Sequence, residues 1–404
     1  MATMRIPDHV VYRIYGDALA IVMNVSTRAT ALLQHEALAL WRGLAREDCD
    51  VHSPGSAAVW QHLSELGMIE AQGMPAGAIS SAPTTSVATV PAPRVDAGVI
   101  NYWAFKNRIP ISGHFELTDR CNLRCQHCYC LFERTRDTLV TAEVIRIIDE
   151  LERSGTLGLV LTGGEVFARS DISDILDHLA RRRFVLRVNT NGTYLTESRV
   201  VELTRYSNIY RVHVSLYGSR AEVHDNMTRS PGSFDKTLRG IRLMHEAGMR
   251  LRVNCSVTQA NFDDVPGVHD LITQGLGIPV RFDPLIFPRD DGSTSNTSGM
   301  LDDAQHGQLV DFVQRRDSSE KPIAQGAAEA AKPKLCKAAF AFFSICEDGR
   351  VYPCLKMKRF YATPLGNLRE QAFEEIWERS PATRRIRESL DRKLRECHVC
   401  DLKV

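Results

Sequence analysis

The chain has 404 residues, 44% of them hydrophobic, enough for two or three domains with a real core. Lys and Arg number 50 against 49 Asp and Glu, so no global basic field points to nucleic acid or to an anionic membrane surface. Met1 to Asp8 lacks a basic stretch followed by an apolar one, and no run of about 18 apolar residues occurs. Neither a signal peptide nor a membrane-spanning helix is therefore expected, and the expected compartment is the cytosol. Eleven cysteines in that setting predict metal or redox chemistry, not disulfides.

Val10 to Gly16 and Ala18 to Asn24 are short β-rich runs separated by Gly16-Asp17, a hairpin signature. Ser26 or Thr27 then caps a predicted helix through about Leu44, with Ala31, Leu32, Leu38 and Trp41 on its apolar face. A second helix runs from about Ala57 to Leu66 and stops at Gly67, before the apolar Met68-Ile69. Cys49 falls in a polar loop and reads as a free thiol. Ala71 to about Val99 is rich in Ala, Pro, Ser, Thr and Gly and cannot bury enough apolar surface to offset the entropy of ordering. It reads as a flexible linker that tethers the first module. The expected layout is a module over 1–70, a linker over 71–100, a catalytic domain over 101–300 and a C-terminal extension over 301–404.

From Gly113 to Phe287 strands and helices alternate. Strands are expected at His114–Thr118, Leu157–Thr162, Val185–Thr190, Arg211–Leu216, Leu251–Thr258 and Val280–Ile286. Helical stretches near Thr141–Ser154, Ile172–Arg182, Glu197–Tyr206, Phe234–Glu246 and Val265–Gln274 lie between them. Repeated βα units imply a parallel sheet with right-handed crossovers, and ligands gather at the C-terminal ends of such strands.

Directly after the first strand comes Cys121-Asn-Leu-Arg-Cys125-Gln-His-Cys128. Three thiolates at this spacing can hold three corners of a [4Fe–4S] cluster, leaving one iron open to a small molecule with an amine and a carboxylate. S-adenosylmethionine (SAM) is such a molecule. Structural zinc instead favours paired C-x2-C ligands and four-coordinate closure. The second strand ends in Thr162-Gly163-Gly164-Glu165, where glycines admit close backbone approach and a carboxylate can hold an ammonium. Asn191 and Ser215, at the ends of the third and fourth strands, can hydrogen-bond a ribose or carboxylate, or else cap the following helices. Cys130 and Cys255 have no partner at ligand spacing and read as small apolar residues, with a role beside the cluster left open for Cys130.

A helix is expected from Asp302 to Arg316, and a small hairpin at the turn Glu347 to Arg350. Cys336 is followed after twelve intervening residues by Gly349 and after four more by Cys354, and Cys397-His-Val-Cys400 completes a second cysteine set. Two spaced pairs are also a zinc pattern.

Together these features resemble radical SAM enzymes with a twitch, or truncated SPASM, extension. The motif residue His127, the Gly163-Gly164-Glu165 turn, Gly366-Asn367-Leu368 and Ile376-Trp377 all match, from about Gly113 to the C-terminus. The N-terminal pattern resembles the PqqD-like winged-helix module of the pyrroloquinoline quinone chaperone, which in peptide-modifying systems holds a precursor's leader as an added strand. The resemblance implies an α/β fold: a partial (β/α)6 TIM-like barrel with a small winged-helix-like N-terminal domain and a C-terminal iron–sulfur extension. It implies a SAM-binding [4Fe–4S] cluster on Cys121, Cys125 and Cys128. Five cysteines beyond residue 300, against about seven for two clusters at roughly four thiolates each, imply one auxiliary [4Fe–4S] cluster. Its ligands are Cys336, Cys354, Cys397 and Cys400, with Cys346 surplus. His127 is implied near the adenine, and Gly163, Gly164 and Glu165 at the methionyl amine. Asn191, Ser215 and Arg229 are implied as further SAM contacts, Arg229 within His224-Asp225 to Phe234 and facing the SAM carboxylate.

The implied activity is that of an oxidoreductase. SAM is cleaved reductively to a 5′-deoxyadenosyl radical, which takes a hydrogen atom from a ribosomally made (RiPP) precursor peptide. A C–C or thioether cross-link, or an epimerised residue, results. The implied partners are a leader-bearing precursor peptide and a flavodoxin- or ferredoxin-type reductant, without nucleic acid or membrane. No general base is assigned. The alternatives are a twitch-type dehydrogenase of a small molecule and a non-catalytic iron–sulfur or zinc scaffold. Against the scaffold stands Gly163-Gly164-Glu165, which a scaffold has no need of.

Overall fold

The computed structural model describes residues 3–17, 19–46, 56–72, 97–131, 138–316, 336–359 and 363–398. The N-terminal module contains β1 (Thr3–Arg5), β2 (Val10–Tyr15), β3 (Leu19–Asn24), β4 (Thr30–Leu33), α1 (His35–Ala45), α2 (Ser56–Glu65) and β5 (Glu70–Gln72). β2, β3 and β4 form an antiparallel sheet, and β1 pairs with β5. The expected helix start near Ser26 is wrong. Thr30 to Leu33 alternate between half-buried and buried, pair with Ala20 to Met23, and leave only His35 to Ala45 for the helix.

β3 is apolar on both faces because both are covered. Ala20 and Val22 pack with Trp41, Trp60, Leu63 and Met68 beneath α1 and α2. Leu19 and Ile21, with Val11, pack instead against Ala104 and Phe105 of α3 (Ala97–Lys106), and against Ile111 and Leu157. The buried Arg13 donates from Nε to the Thr156 carbonyl at 2.7 Å and lies 4.5 Å over the Phe184 ring. Arg183 returns the contact, donating to the carbonyls of Val10 at 2.7 Å and Pro7 at 2.9 Å. The sequence expectation of a tethered module is thereby corrected: two apolar faces on one sheet produce a docked one. Most of the expected linker lies outside the described residues, and its last part belongs to α3.

The catalytic domain alternates β6 (Ser112–Thr118), α4 (Thr141–Arg153), β7 (Gly158–Gly163), α5 (Ile172–Arg181), β8 (Val185–Thr190), α6 (Glu197–Leu203) and β9 (Ile209–Ser215). It continues through α7 (Ala221–Thr228), α8 (Ser233–Glu246), β10 (Leu251–Ser256), α9 (Val265–His269) and β11 (Val280–Asp283). β6 to β11 are all parallel neighbours in sequence order, the expected barrel topology. β11 stops short of the expected Ile286 because Pro284 has no N–H for the ladder. Outward residues such as Phe115, Leu161, Val188 and Val214 form the main core under Ile147, Leu176 and Ile241 of the helices.

After α10 (Asp303–Arg316) the extension adds β12 (Phe342–Ile345), β13 (Arg350–Tyr352), β14 (Gly366–Asn367), α11 (Phe373–Glu378) and α12 (Pro381–His398). β12 pairs in parallel with β6, so the extension supplies a seventh parallel strand to the barrel sheet. Phe343 packs with Phe373 and Trp377, and the Trp377 indole donates to the Arg108 carbonyl at 2.6 Å. Within the basic run of α12, Arg387 is buried, donating to the Ala339 carbonyl at 2.7 Å and lying 4.9 Å over Trp377. Among the described residues no helix is long and apolar enough to cross a membrane.

Candidate active site

The loop after β6 brings Cys121, Cys125 and Cys128 to one cavity of about 370 Å³ at the C-terminal ends of the barrel strands. Burial pushes the Cys121 thiol up to about 11, and burial with the neighbouring thiols also pushes Cys125 well above its ordinary value. Cys128 is held down, first by a hydrogen bond from Cys130, whose own thiol is pushed up by the same contact. Cys130 is therefore a buried neighbour of the triad, while Cys255 lies in a separate apolar cluster. Three convergent thiols in a dry site repel one another as thiolates unless a cationic metal core balances them, so the donor set fits an iron–sulfur cluster.

The two glycines hold this loop. A Cβ at Gly163 would sit 2.1 Å from the Thr118 carbonyl oxygen, and one at Gly164 would sit 2.3 Å from that of Arg120. Gly163 also has φ +129°, open to few other residues. The Gly164 and Glu165 N–H groups donate to Thr118 and Arg120 at 2.7 and 2.8 Å. The Glu165 side chain turns away from the cavity. Its Oε1 accepts from Thr190 Oγ1 at 2.7 Å and Phe167 N at 3.1 Å, and its Oε2 from Asn191 N at 2.6 Å. Complete burial raises its carboxyl to about 7 despite those donors.

Asn191 is committed to the same loop, donating from Nδ2 to Asn122 Oδ1 at 2.9 Å and to Cys121 Sγ at 3.7 Å. Ser215 and His127 line the cavity. The His127 ring meets Tyr217 edge-on at 4.5 Å, and burial lowers its pKa to about 4, leaving it neutral. Arg229 is not brought in. It ends α7 with a left-handed φ of +52° and an exposed side chain, while Asp225 accepts from Gly232 N, Ser233 Oγ and Phe234 N to start α8. His224 accepts from Tyr217 N at 3.1 Å, so this stretch is a helix junction.

Residues that the sequence reading did not single out complete the wall: His114, Asn189, His213, Tyr217, Asn254 and Ser256. Their i, i+2 spacing on parallel strands was the available signal. His127 Nδ1, Asn189 Oδ1 and Asn254 Oδ1 are buried without a hydrogen-bond partner. A cavity of this size with orphaned donors and acceptors fits a polar nucleoside-bearing cofactor.

Beside the triad, Lys358 Nζ lies 2.9 Å from Glu116 Oε2 and 2.9 Å from Asp290 Oδ2, with Tyr129 donating to Glu116 Oε1 at 3.2 Å. With Glu347 Oε2 at 3.8 Å from the same ammonium, this buried ion cluster ties the extension to β6 and to the loop after it. Of the second cysteine set, Cys336 is exposed and Cys354 half-buried, close enough that the charge of Cys336 raises Cys354, after burial. The Cys397 side chain and Cys400 lie outside the described residues. Cys346 is fully buried at the end of β12.

A parallel β/α barrel with three thiols over a polar cavity at its strand ends defines an enzyme that binds an iron–sulfur cluster and a small organic cofactor. The chain belongs to the radical SAM superfamily, whose profile matches residues 115–270, and an iron-sulfur cluster-binding domain, SPASM, matches residues 336–401. The mycofactocin maturase MftC of Mycolicibacterium smegmatis is 31% identical over 294 residues, 69% of this chain and 73% of that protein. The AdoMet-dependent heme synthase of Methanosarcina barkeri is 28% identical over 313 residues, 72% of this chain and 88% of that one. In fold, the chain is similar to Streptococcus suis SuiB bound to the precursor peptide SuiA (TM-score 0.62, 14% identity), over 95% of this chain and 90% of that one. The chain is thus a radical SAM enzyme whose cofactors are a [4Fe–4S] cluster and SAM, with an auxiliary cluster-binding domain at its C-terminal side.

Proposed function

We propose that the enzyme matures a ribosomally made precursor peptide, forming a C–C or thioether cross-link or an epimerised residue. The observation that carries this reading is the docked N-terminal module, which a small-substrate oxidase does not need. The likeness to a peptide-bound SuiB extends over nearly the whole chain and supports it. Residues 1–70 would act as a PqqD-like leader-recognition domain. β4 would be the receiving edge, because on β2 the Val10 carbonyl is already taken by Arg183. Residues 101–300 would carry the SAM chemistry and 301–404 one auxiliary cluster on Cys336, Cys354, Cys397 and Cys400.

When bound, the cluster and SAM supply a 5′-deoxyadenosyl radical by one-electron reductive cleavage. Cys121, Cys125 and Cys128 would hold the cluster, while Asn191 orients Cys121 through its amide. With the Glu165 carboxylate occupied, the backbone carbonyls of Gly163 and Gly164 would receive the methionyl ammonium. His127 would face the adenine, Ser215 the ribose or carboxylate. Tyr217 and Phe287 would keep water from the reacting carbon. Electrons would come from a flavodoxin- or ferredoxin-type donor in the cytoplasm.

The test is mass spectrometry of a peptide encoded beside this gene, co-expressed anaerobically with the enzyme or with Cys121→Ala. A loss of roughly 2 Da, as one two-electron oxidation requires, absent with Cys121→Ala, marks an oxidative cross-link. One added deuterium in heavy water marks epimerisation. An unchanged mass in both solvents removes the peptide reading for that partner. The likeness to a heme synthase supports the second reading, a substrate that is not a peptide.

A further inference from the structure

An oxidative cross-link takes two hydrogens from the peptide, and one of them leaves as a hydrogen atom to the 5′-deoxyadenosyl radical. The other leaves as a proton. Of the electron pair in its bond, one electron completes the new bond with the substrate radical and one passes to the oxidised auxiliary [4Fe–4S] cluster. The proton needs an acceptor inside the cavity. Among the described residues no carboxylate lines that cavity, and besides the thiols its titratable wall residues are His114, His127, Tyr129, His213, Tyr217 and Lys356. Phenols and ammonium groups hold their protons at neutral pH, and burial pushes Tyr217 still higher. His127 adjoins the Cys128 thiol and packs on Tyr217. Two histidines are left. On His213, burial and then Arg187, Arg252, Arg211 and Arg281 all oppose a proton. On His114 the first charge after burial favours one, that of Glu116 two residues along the strand, ahead of the opposing charge of Arg187.

The backbone aims His114 at the substrate space. Phe115 and, across the strand pair, Phe343 and Ile345 turn outward into the main core, so His114 and Ser344 turn inward side by side. The Phe342 ring meets the imidazole edge-on at 5.1 Å. On β7 the neighbour in register is the neutral Val160, so Glu116 and Arg187 are the charges that reach the ring. His114 Nδ1 and Ser344 Oγ are both buried without a hydrogen-bond partner. Orphaned polar atoms are costly, and an imidazolium N–H donating to the serine oxygen would satisfy both. Burial lowers the ring's pKa to about 4 and keeps it neutral, so a lone pair is on offer at any pH near neutrality.

We propose that His114 is the general base of the reaction, taking the proton that leaves the substrate as the cross-link forms, with Ser344 positioning the imidazolium. It rests on the oxidative form of the peptide reading above.

In the test, the peptide encoded beside this gene is incubated anaerobically with the holoenzyme, SAM and dithionite, and 5′-deoxyadenosine and cross-linked peptide are both counted. His114→Asn should still form 5′-deoxyadenosine, while cross-linked peptide per 5′-deoxyadenosine falls about a hundredfold, an ordinary contribution of a general base. Added imidazole should restore part of that yield. A merely structural residue would lower both products together and gain nothing from imidazole. Cluster absorbance and melting temperature report folding, and His114→Gln serves if His114→Asn misfolds. An unchanged ratio, or a fall in His213→Asn and not in His114→Asn, overturns the assignment. So does an epimerised product, which releases no net proton. Diethyl pyrocarbonate, which modifies a reachable unprotonated imidazole, should label His114 in the SAM-free holoenzyme at about pH 6, below the ordinary histidine value. An unlabelled His114 also overturns the assignment. The labelling involves no peptide, so its result is separable from the peptide-mass experiment.

Discussion

The Glu165 carboxylate accepts the backbone N–H of Asn191 at 2.6 Å, joining the glycine turn after β7 to the end of β8. Asn191 in turn reaches Cys121 Sγ, so a carboxylate that never enters the cavity fixes the position of a thiol proposed to hold the cluster. Glu165→Gln places an amide N–H₂ against donors on at least one side and should cost about 1–3 kcal/mol, the penalty of an unsatisfied buried group. Reduced cluster loading at equal expression, read as iron per chain, should accompany it.

The same residue predicts a pH dependence. Burial raises the Glu165 carboxyl in the folded chain to about 7, above its ordinary value. The folded state therefore keeps a proton that the unfolded state releases, and stability falls as pH rises from the ordinary carboxylate range toward about 7. In the ligand-free protein, melting temperatures at about pH 5 and about pH 7.5 should differ more for wild type than for Glu165→Gln. Equal differences would refute the assignment.

Cys121→Ala, Cys125→Ala and Cys128→Ala should each remove about four irons per chain and abolish SAM cleavage. Cys354→Ala should also remove about four irons but leave the SAM-dependent spectroscopic change intact. Iron analysis with electron paramagnetic resonance, with and without SAM, separates the two sites.

Lys358 is buried among Glu116, Asp290 and Glu347, and Lys358→Ala would take its cation away from all three carboxylates. Breaking a buried pair from one side should destabilise by about 3–5 kcal/mol, visible in chemical denaturation. Lys358→Met combined with Glu116→Gln should recover part of that loss.

Gly163→Ala and Gly164→Ala drive a methyl group into the carbonyls of Thr118 and Arg120. Each should displace the start of the cluster loop and weaken SAM binding in calorimetry by at least about tenfold, the effect of lost positioning.

Much of the barrel was legible because apolar strands and amphipathic helices carry different periods, and because the cysteine motif falls directly after β6. The cysteine triad and the cavity wall at Gly163, Asn191 and Ser215 follow from that placement. What was not legible depends on side-chain direction or on distant partners. Nothing local says that Glu165 faces β8, or that Arg229 ends a helix with its side chain in solvent. Thr30 to Leu33 resembles the first turn of a helix until β3 is available to pair with it. β12 reads as half of a hairpin, since its parallel partner β6 lies more than two hundred residues earlier.

On the proposed peptide reading, the docked N-terminal module makes the molecule a ruler. Its contacts, Arg13 with Thr156, Arg183 with Val10 and Arg250 with Val25, all fall just before strands begin, whereas the thiols stand where strands end. The strand length between the two rims is about 20 Å. A peptide gripped at one rim and modified at the other therefore needs roughly six or seven extended residues between its anchor and its reacting carbon. Shortening that spacer should halt modification while leaving the grip intact, and lengthening it should shift the modified position instead of abolishing it.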